Sequence, residues 1–246
     1  MSDESAVWQR LHTLKFYATQ VHECSYLPGR DAITLFADPA APMDTATYSA
    51  LARLGFRRSG EHVYRPHCPG CNACVPVRIP VDQFRPDRSQ RRTRARNTDL
   101  RVVAREPEFD PEHFELYQRY LSTRHPGGGM DSGDPDDYLR FVTSRWSDTL
   151  LYEFRLERRL LAVAAVDHLN DGLSAVYTFF DPDESRRSLG GWAVLWQIEE
   201  TRRRGLPWLY LGYWIAESPK MAYKTRYHPL QAYDGHGWKT VTKTGD

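Results

Sequence analysis

The sequence predicts a mixed α/β (α+β) fold, and three features carry that expectation. Short apolar runs punctuated by Pro and Gly fill the first hundred residues. A strand, two helices, a three-strand meander, a long helix and a last strand then follow in order. Hydrophobic residues make up 41% of 246 residues and aromatics 13%, enough for a packed interior.

Taken along the chain, Leu14–Tyr17, Ala32–Phe36, Glu61–Arg65 and Ala73–Ile79 read as strands, separated by breaks at Pro28-Gly29, Asp38-Pro39 and Ser59-Gly60. Asp44 is placed to N-cap a helix over Thr45–Leu54, with Tyr48, Leu51 and Leu54 on one face and Gly55 as its stop. An arginine-rich segment reads as a short helix, with Ser89 near its start, Asn97 near its end, and Arg88, Arg92 and Arg96 stacked at i, i+4. Beyond it, Leu100–Ala104 is a strand and Pro111–Arg124 a helix whose Phe114, Tyr117 and Leu121 share a face. Pro126 to Gly129 is a break before a helix over Asp136–Ser144. Leu150–Leu156, Leu160–Leu169 and Leu173–Phe180 form the meander. Gly190–Arg204 is the long helix, stopped by Gly205, and Pro207–Ile215 the final core strand. A boundary is expected near residue 98, between a Cys-rich, basic region (1–98) and a transferase domain (99–246). The element order of the second part is that of the GNAT acyltransferase architecture, an analogy of fold that leaves chemistry to the residues.

Charge is concentrated. Between Arg85 and Arg96 stand six arginines (Arg85, Arg88, Arg91, Arg92, Arg94, Arg96) and one acid, Asp87, a net +5 in a chain whose total is +1. Such a cluster on a near-neutral protein points to one polyanionic partner met at one place. No apolar run approaches the ~18–20 residues of a membrane span. The N-terminus is acidic, without the basic start and apolar stretch of a secretory signal. With four cysteines and no signal, the expected compartment is the reducing cytoplasm.

Three constellations can carry chemistry. The first, Asp181 to Gly191, links the end of a strand to the long helix, where Gly190 and the first helical amides suit a phosphate or a developing oxyanion. The second lies just past the final strand, in Tyr210-Leu-Gly-Tyr213 and the run Lys220 to Tyr227, where α/β sheets tend to place ligands. The third is Cys68-x-x-Cys71-x-x-Cys74 with a distant Cys24, a ligand set for structural zinc or an iron–sulfur cluster, or else free thiols in a compact loop.

Several motifs in fixed order make the chain recognisable: Cys24-Ser-Tyr-Leu-Pro-Gly-Arg30, Gly55-Phe-Arg-Arg-Ser-Gly60, Tyr64-Arg-Pro-His-Cys68 and Arg88-Ser-Gln-Arg-Arg92. Later come Val176-Tyr-Thr-Phe-Phe-Asp-Pro182, Ser188-Leu-Gly190, Tyr210-Leu-Gly-Tyr213 and Met221-Ala-Tyr-Lys224. From about residue 10 to 235 the chain resembles the aminoacyl-tRNA–protein transferases of the N-degron pathway, and its compact length matches the bacterial aspartate/glutamate leucyltransferase branch. The resemblance implies transfer of leucine from leucyl-tRNA to proteins beginning with Asp or Glu, marking them for degradation, with no cofactor required for transfer. It also implies functional cysteines, with Cys24 and the neighbourhood of Cys74 as the corresponding positions; the additional Cys68 and Cys71 leave the ligand set open.

On this reading the arginine run grips tRNA, and Asp181 accepts or orients the proton of the attacking amine, with Tyr177 or Tyr213 as alternatives. Backbone amides around Gly190 hold the oxyanion. Lys220, Lys224, Arg226 and Arg30 are the cations expected to pair with an acidic acceptor. Competing expectations are arginyl-tRNA as donor, an acetyl-CoA-dependent GNAT enzyme, and a non-catalytic RNA-binding zinc knuckle. Against the second, Arg187-Ser-Leu-Gly190-Gly191 only partly matches the Gln/Arg-x-x-Gly-x-Gly/Ala pyrophosphate loop.

Overall fold

In the computed structural model, which describes residues 3–124 and 133–241, the elements run in this order. Helix α1 (Asp3–Thr13) precedes strands β1 (Phe16–Ala18), β2 (His22–Glu23), β3 (Asp31–Ala32) and β4 (Thr34–Ala37), then helix α2 (Thr45–Arg53). Strands β5 (Arg57–Ser59), β6 (His62–Pro66) and β7 (Val75–Pro80) lead to helix α3 (Arg88–Ala95) and strand β8 (Arg101–Arg105). Helices α4 (Pro111–Arg124) and α5 (Pro135–Val142) precede the meander β9 (Thr149–Leu156), β10 (Arg159–Leu169) and β11 (Gly172–Phe180). Helix α6 (Leu189–Arg203), strand β12 (Trp208–Trp214), helix α7 (Pro219–Ala222) and strands β13 (Gln231–Tyr233) and β14 (Trp238–Thr240) complete the chain. The break expected at Pro126–Gly129 lies outside the described residues.

Every helix and strand expected from periodicity is present within a few residues. Asp44 caps α2 through its side chain, accepting from the Thr47 amide at 2.7 Å. The arginine helix begins earlier than Ser89 because Asp87 and Gln90 form a reciprocal capping box. Helices α1 and α7 and strands β2, β5, β13 and β14 are additions, too short or too polar to announce themselves.

The large sheet has eight strands in the order β14-β13-β7-β12-β11-β10-β9-β8. A second, four-stranded sheet is ordered β1-β4-β6-β5. Helix α6 packs on one face of the large sheet over a core that includes Val77, Ile79, Phe154, Leu161 and Leu209; α4 and α5 pack on the other, around Leu121, Tyr138 and Phe179. Strand β7 comes from before the expected boundary near 98, yet it pairs antiparallel with β12 in the large sheet.

A buried ion pair ties the two sheets further. Arg58 on β5 donates from Nε and Nη2 to the Asp167 carboxylate on β10 at 2.7 and 2.5 Å, with neither side chain exposed. The same guanidinium reaches Val142 and Thr143 carbonyls at the end of α5. Gly60, at φ +57, lets this hairpin approach α5 so closely that a Cβ would stand 2.4 Å from the Arg140 carbonyl oxygen.

Candidate functional site

The large sheet opens at one place. Strands β11 and β12 pair in parallel only from Gly172–Ser174 to Trp208–Tyr210, and beyond that point no pairing joins them. Backbone groups freed where strands part must find other partners. Arg57, at the start of β5, supplies one: its Nη2 donates to the Val176 carbonyl oxygen at 3.0 Å. Its other Nη lies against Gly212, where φ is +71 and an added Cβ would fall 2.1 Å from Nη1. The guanidinium also sits 5.9 Å from the centre of the Tyr213 ring. Arg57 is not among the residues expected at the site, although the Arg57-Arg58 doublet beside Gly55 is a signal for it: two adjacent guanidiniums in a short hairpin cannot serve the same face.

Lys224 shares the Tyr213 neighbourhood with Arg57 and feels its charge. Its Nζ donates to the Tyr213 carbonyl at 2.5 Å, and the residue is 4% exposed. Burial, with the Arg57 charge as second cause, lowers its pKa to about 7. Arg57 is desolvated too, but the surrounding hydroxyls of Tyr64, Tyr213, Tyr26 and Tyr48 favour its charged form. Among the described residues, no carboxylate pairs with Arg57 or Lys224.

Of the other expected acceptor-binding cations, Lys220 and Arg226 are exposed on the same segment, and exposed Arg30 is paired with Glu217 at 3.0 Å.

The expected proton acceptors sit in different surroundings. Asp181 is 1% exposed and accepts from Arg119 Nη2 at 2.9 Å, Arg159 Nη2 at 2.6 Å and the Asp183 amide at 3.0 Å. Burial alone would raise its pKa, but those donors outweigh it and hold the carboxyl below the usual aspartate value. A carboxylate so held is a clamp between α4 and β10 and a weak base. The Tyr213 hydroxyl donates to the carbonyls of Gly55 and Tyr64, at 3.2 and 3.1 Å, and burial raises its pKa well above the ordinary value. The Tyr177 hydroxyl is buried without a hydrogen-bond partner among the described residues, and burial also raises its pKa.

Gly190 stands at the start of α6, whose N-cap Ser188 makes no side-chain cap, so the first amides are left uncapped by a side chain. A Cβ at Gly190 would meet the Phe180 ring at 3.0 Å; at Gly191 it would meet only the Tyr227 hydroxyl, at 3.8 Å. Helix α3 lies beside this helix start. Gln90 Nε2 donates to the Arg226 carbonyl at 2.8 Å, Asn97 Nδ2 to that of Arg187 at 2.9 Å and Arg96 Nη1 to that of Arg186 at 3.1 Å. Arg94 is neutralised by Glu199 at 3.3 Å, whereas no carboxylate pairs with Arg85, Arg88, Arg91, Arg92 or Arg96 among the described residues. Arg186 adds a further exposed cation next to them.

The four cysteines come from two loops and are reduced. Burial pushes the Cys74 thiol up to about 12, and the nearby Cys24, Cys68 and Cys71 add to the shift. The donor set suits a thiophilic metal, which would supply the missing positive charge. The sulfurs are neighbours without converging on a point: among the described residues, the trio of metal-ligating atoms within 4.8 Å of one another is Asp110, His113 and Glu153. That trio is already served by Arg155 and Arg105, both paired with Glu153, and is part of an ion network.

Comparison with known proteins gives the arrangement its context. A family model described as the N terminus of arginine-tRNA-protein transferase matches residues 22–92, and one for the C terminus of the same family matches 112–234. Aspartate/glutamate leucyltransferase from Nitrosococcus oceani is 56% identical over 230 residues, 93% of this chain and 97% of that one. The proteins of the same name from Pseudomonas putida F1 and Pseudomonas aeruginosa LESB58 are 54% and 52% identical, each across 94% of this chain and 98% and 99% of their own length. Among solved structures, L-PGS from Bacillus licheniformis superposes with a TM-score of 0.45 at 15% identity, over 67% of this chain and 60% of that one.

Proposed function

This chain belongs to the arginine-tRNA–protein transferase family, and from that premise we propose that it transfers leucine from leucyl-tRNA to the N-terminal amine of proteins beginning with Asp or Glu. The observation that carries this reading is the position of α3, whose Arg88, Arg91 and Arg92 have no carboxylate partner among the described residues, against the uncapped start of α6. A tRNA acceptor arm lying along those arginines brings its esterified end to a ready set of amide donors. The 52–56% identity to leucyltransferases favours leucine over arginine as the donor.

The ester is already activated, so the protein's part is to hold two reactants together, worth up to ~7–11 kcal/mol in favourable cases. The acceptor's α-amine, with a pKa of roughly 7.7–8.0, is partly neutral near pH 7 and attacks the leucyl carbonyl. Amides at Leu189, Gly190 and Gly191 stabilise the tetrahedral oxyanion. The amide bond forms as the ester bond breaks, and the amine's proton leaves on the ribose hydroxyl of the tRNA. Asp181 serves this step by keeping Arg119 and Arg159 in place beside the β11–α6 loop. Tyr177, with its unpartnered hydroxyl, is the residue left to orient a reactant.

The reaction belongs in the cytoplasm, where charged tRNA is available; no helix among the described residues is long and apolar enough to cross a membrane. The four thiols hold a structural metal in the working protein, which would require them to draw closer together. Metal analysis of freshly purified protein tests this, and a clean absence of bound metal removes it.

The test of the transfer itself uses radiolabelled leucyl-tRNA, arginyl-tRNA and acetyl-CoA, each with a peptide beginning in Glu. Label from leucyl-tRNA on the peptide is expected. Label from acetyl-CoA alone would overturn the reading in favour of an ordinary acetyltransferase.

A further inference from the structure

We propose that Arg57 and Lys224 together form the subsite that receives the side-chain carboxylate of the acceptor's first residue. The proposal rests on the transfer reading above and names the pair that makes the site choose acidic acceptors.

A cation taken out of water is costly unless an anion or a dense set of acceptors replaces the solvent. Arg57 has one carbonyl, from Val176, and Lys224 has one, from Tyr213; neither has a carboxylate among the described residues. Arg57 cannot shed its proton at any pH the protein meets. Where the chain buries other guanidiniums it provides for them: Arg58, the next residue, has Asp167 in bidentate contact, and Arg78 has the Gln231 and Tyr210 oxygens and lies over the Trp208 and Trp238 rings. Two neighbouring cations left without an anion, where β11 and β12 part, make a site built for an anion that arrives from outside.

The surroundings select what kind. Arg57 lies 5.9 Å from the centre of the Tyr213 ring, near Tyr64, Tyr26 and Tyr48, and Lys224 stands beside the Tyr223 ring, with Nζ 6.0 Å from its centre. No acid lies among these neighbours. A polyanionic RNA backbone is met by exposed cations such as those on α3, not by a recessed, aromatic-walled pair. A guanidinium beside an ammonium matches the single charge and two oxygens of a short side-chain carboxylate. Lys224 also lies on the segment leading to Tyr227, whose hydroxyl faces Gly191 at the start of α6. The acceptor's first residue, so held, is directed toward the carbonyl it attacks.

The test is a ratio. Full-length Arg57→Met and Lys224→Met are assayed with leucyl-tRNA and otherwise identical peptides beginning in Glu and in Gln. Each variant is expected to lose about 10–100-fold in kcat/KM on the Glu peptide while the Gln peptide changes little, so the Glu:Gln preference collapses. An unchanged Glu:Gln ratio, whatever the absolute rates, overturns the proposal. Should a variant fail to fold, the wild-type chain labelled with 15N-lysine is titrated with the dipeptides Glu-Ala and Gln-Ala. A shift of the Lys224 resonance with Glu-Ala alone supports the subsite; no shift at saturation, or equal shifts with both, rejects it. Because this titration uses no tRNA, a failure of wild-type leucyl transfer would strike the transfer reading alone, and the subsite would still stand or fall on the dipeptide shifts.

Discussion

Gly212→Ala separates the position of Arg57 from its presence. At φ +71, an alanine incurs a backbone cost of ~1–2 kcal/mol. The new Cβ would stand 2.1 Å from Arg57 Nη1, and ordinary contact begins near 3.4 Å, so the guanidinium must shift by about 1.3 Å. That shift breaks its 3.0 Å bond to Val176, a charge-assisted contact worth ~1.5–3 kcal/mol. The obstructing atom ends a flexible side chain, so the fold should survive with a loss of ~2.5–5 kcal/mol, measured by urea denaturation. A displacement of this size at a positioning group costs on the order of 100-fold in transfer to Glu-starting peptides. Binding of tRNA, which the proposal assigns to α3, should be unaltered in a filter-binding assay. A Gly212→Ala protein that melts as expected yet transfers to Glu peptides at the wild-type rate would refute the placement of Arg57 in the acceptor site.

Other perturbations test other parts. Asp167→Asn leaves the Arg58 guanidinium buried without its counter-ion and should destabilise the fold by ~3–5 kcal/mol in chemical denaturation; a change under about 1 kcal/mol would show that the pair does not weld the two sheets. Charge reversal at Arg91 and Arg92 should weaken tRNA binding and reduce the slope of log K against log salt by about 1–2; an unaltered slope removes α3 from the interface. Acid stability should depend on Glu153: burial would raise its pKa, but Arg155 and His113 lower it from 4.5 to about 2. A folded pKa below the unfolded one gives stability that is present above about 4.5 and lost as pH falls through about 2, here roughly 3 kcal/mol in all. Glu153→Gln should flatten the melting temperature across that window, and an equally steep acid limb in the variant would assign the effect elsewhere.

What the sequence disclosed and what it withheld have separate physical causes. Periodicity is local, so α4, α6 and the meander could be read directly, and Asp44 announced α2 as a cap does. The arginine run was legible because charge needs no fold to be counted. Its neutralisation at Arg94 was not, since Glu199 lies on α6, 105 residues away. Arg57 stayed hidden for the same reason: the carbonyl that fixes it belongs to Val176, 119 residues on, and the gap it fills exists only after β11 and β12 part. Strand β7 read as an ordinary strand of the first region, and only pairing with β12 reveals that the large sheet includes it. Asp181 stands out in the sequence as an acid where a strand gives way to the long helix; its two arginine partners, on α4 and β10, change it from a proton acceptor into a clamp.

The most direct measurement is the mass and sequence of a Glu-starting peptide after incubation with this protein and leucyl-tRNA. The expected product is one leucine longer at its N-terminus, with little or none formed from the matching Gln-starting peptide. An unmodified Glu peptide, or leucine added equally to both, would speak against acidic-end leucyl transfer by this chain.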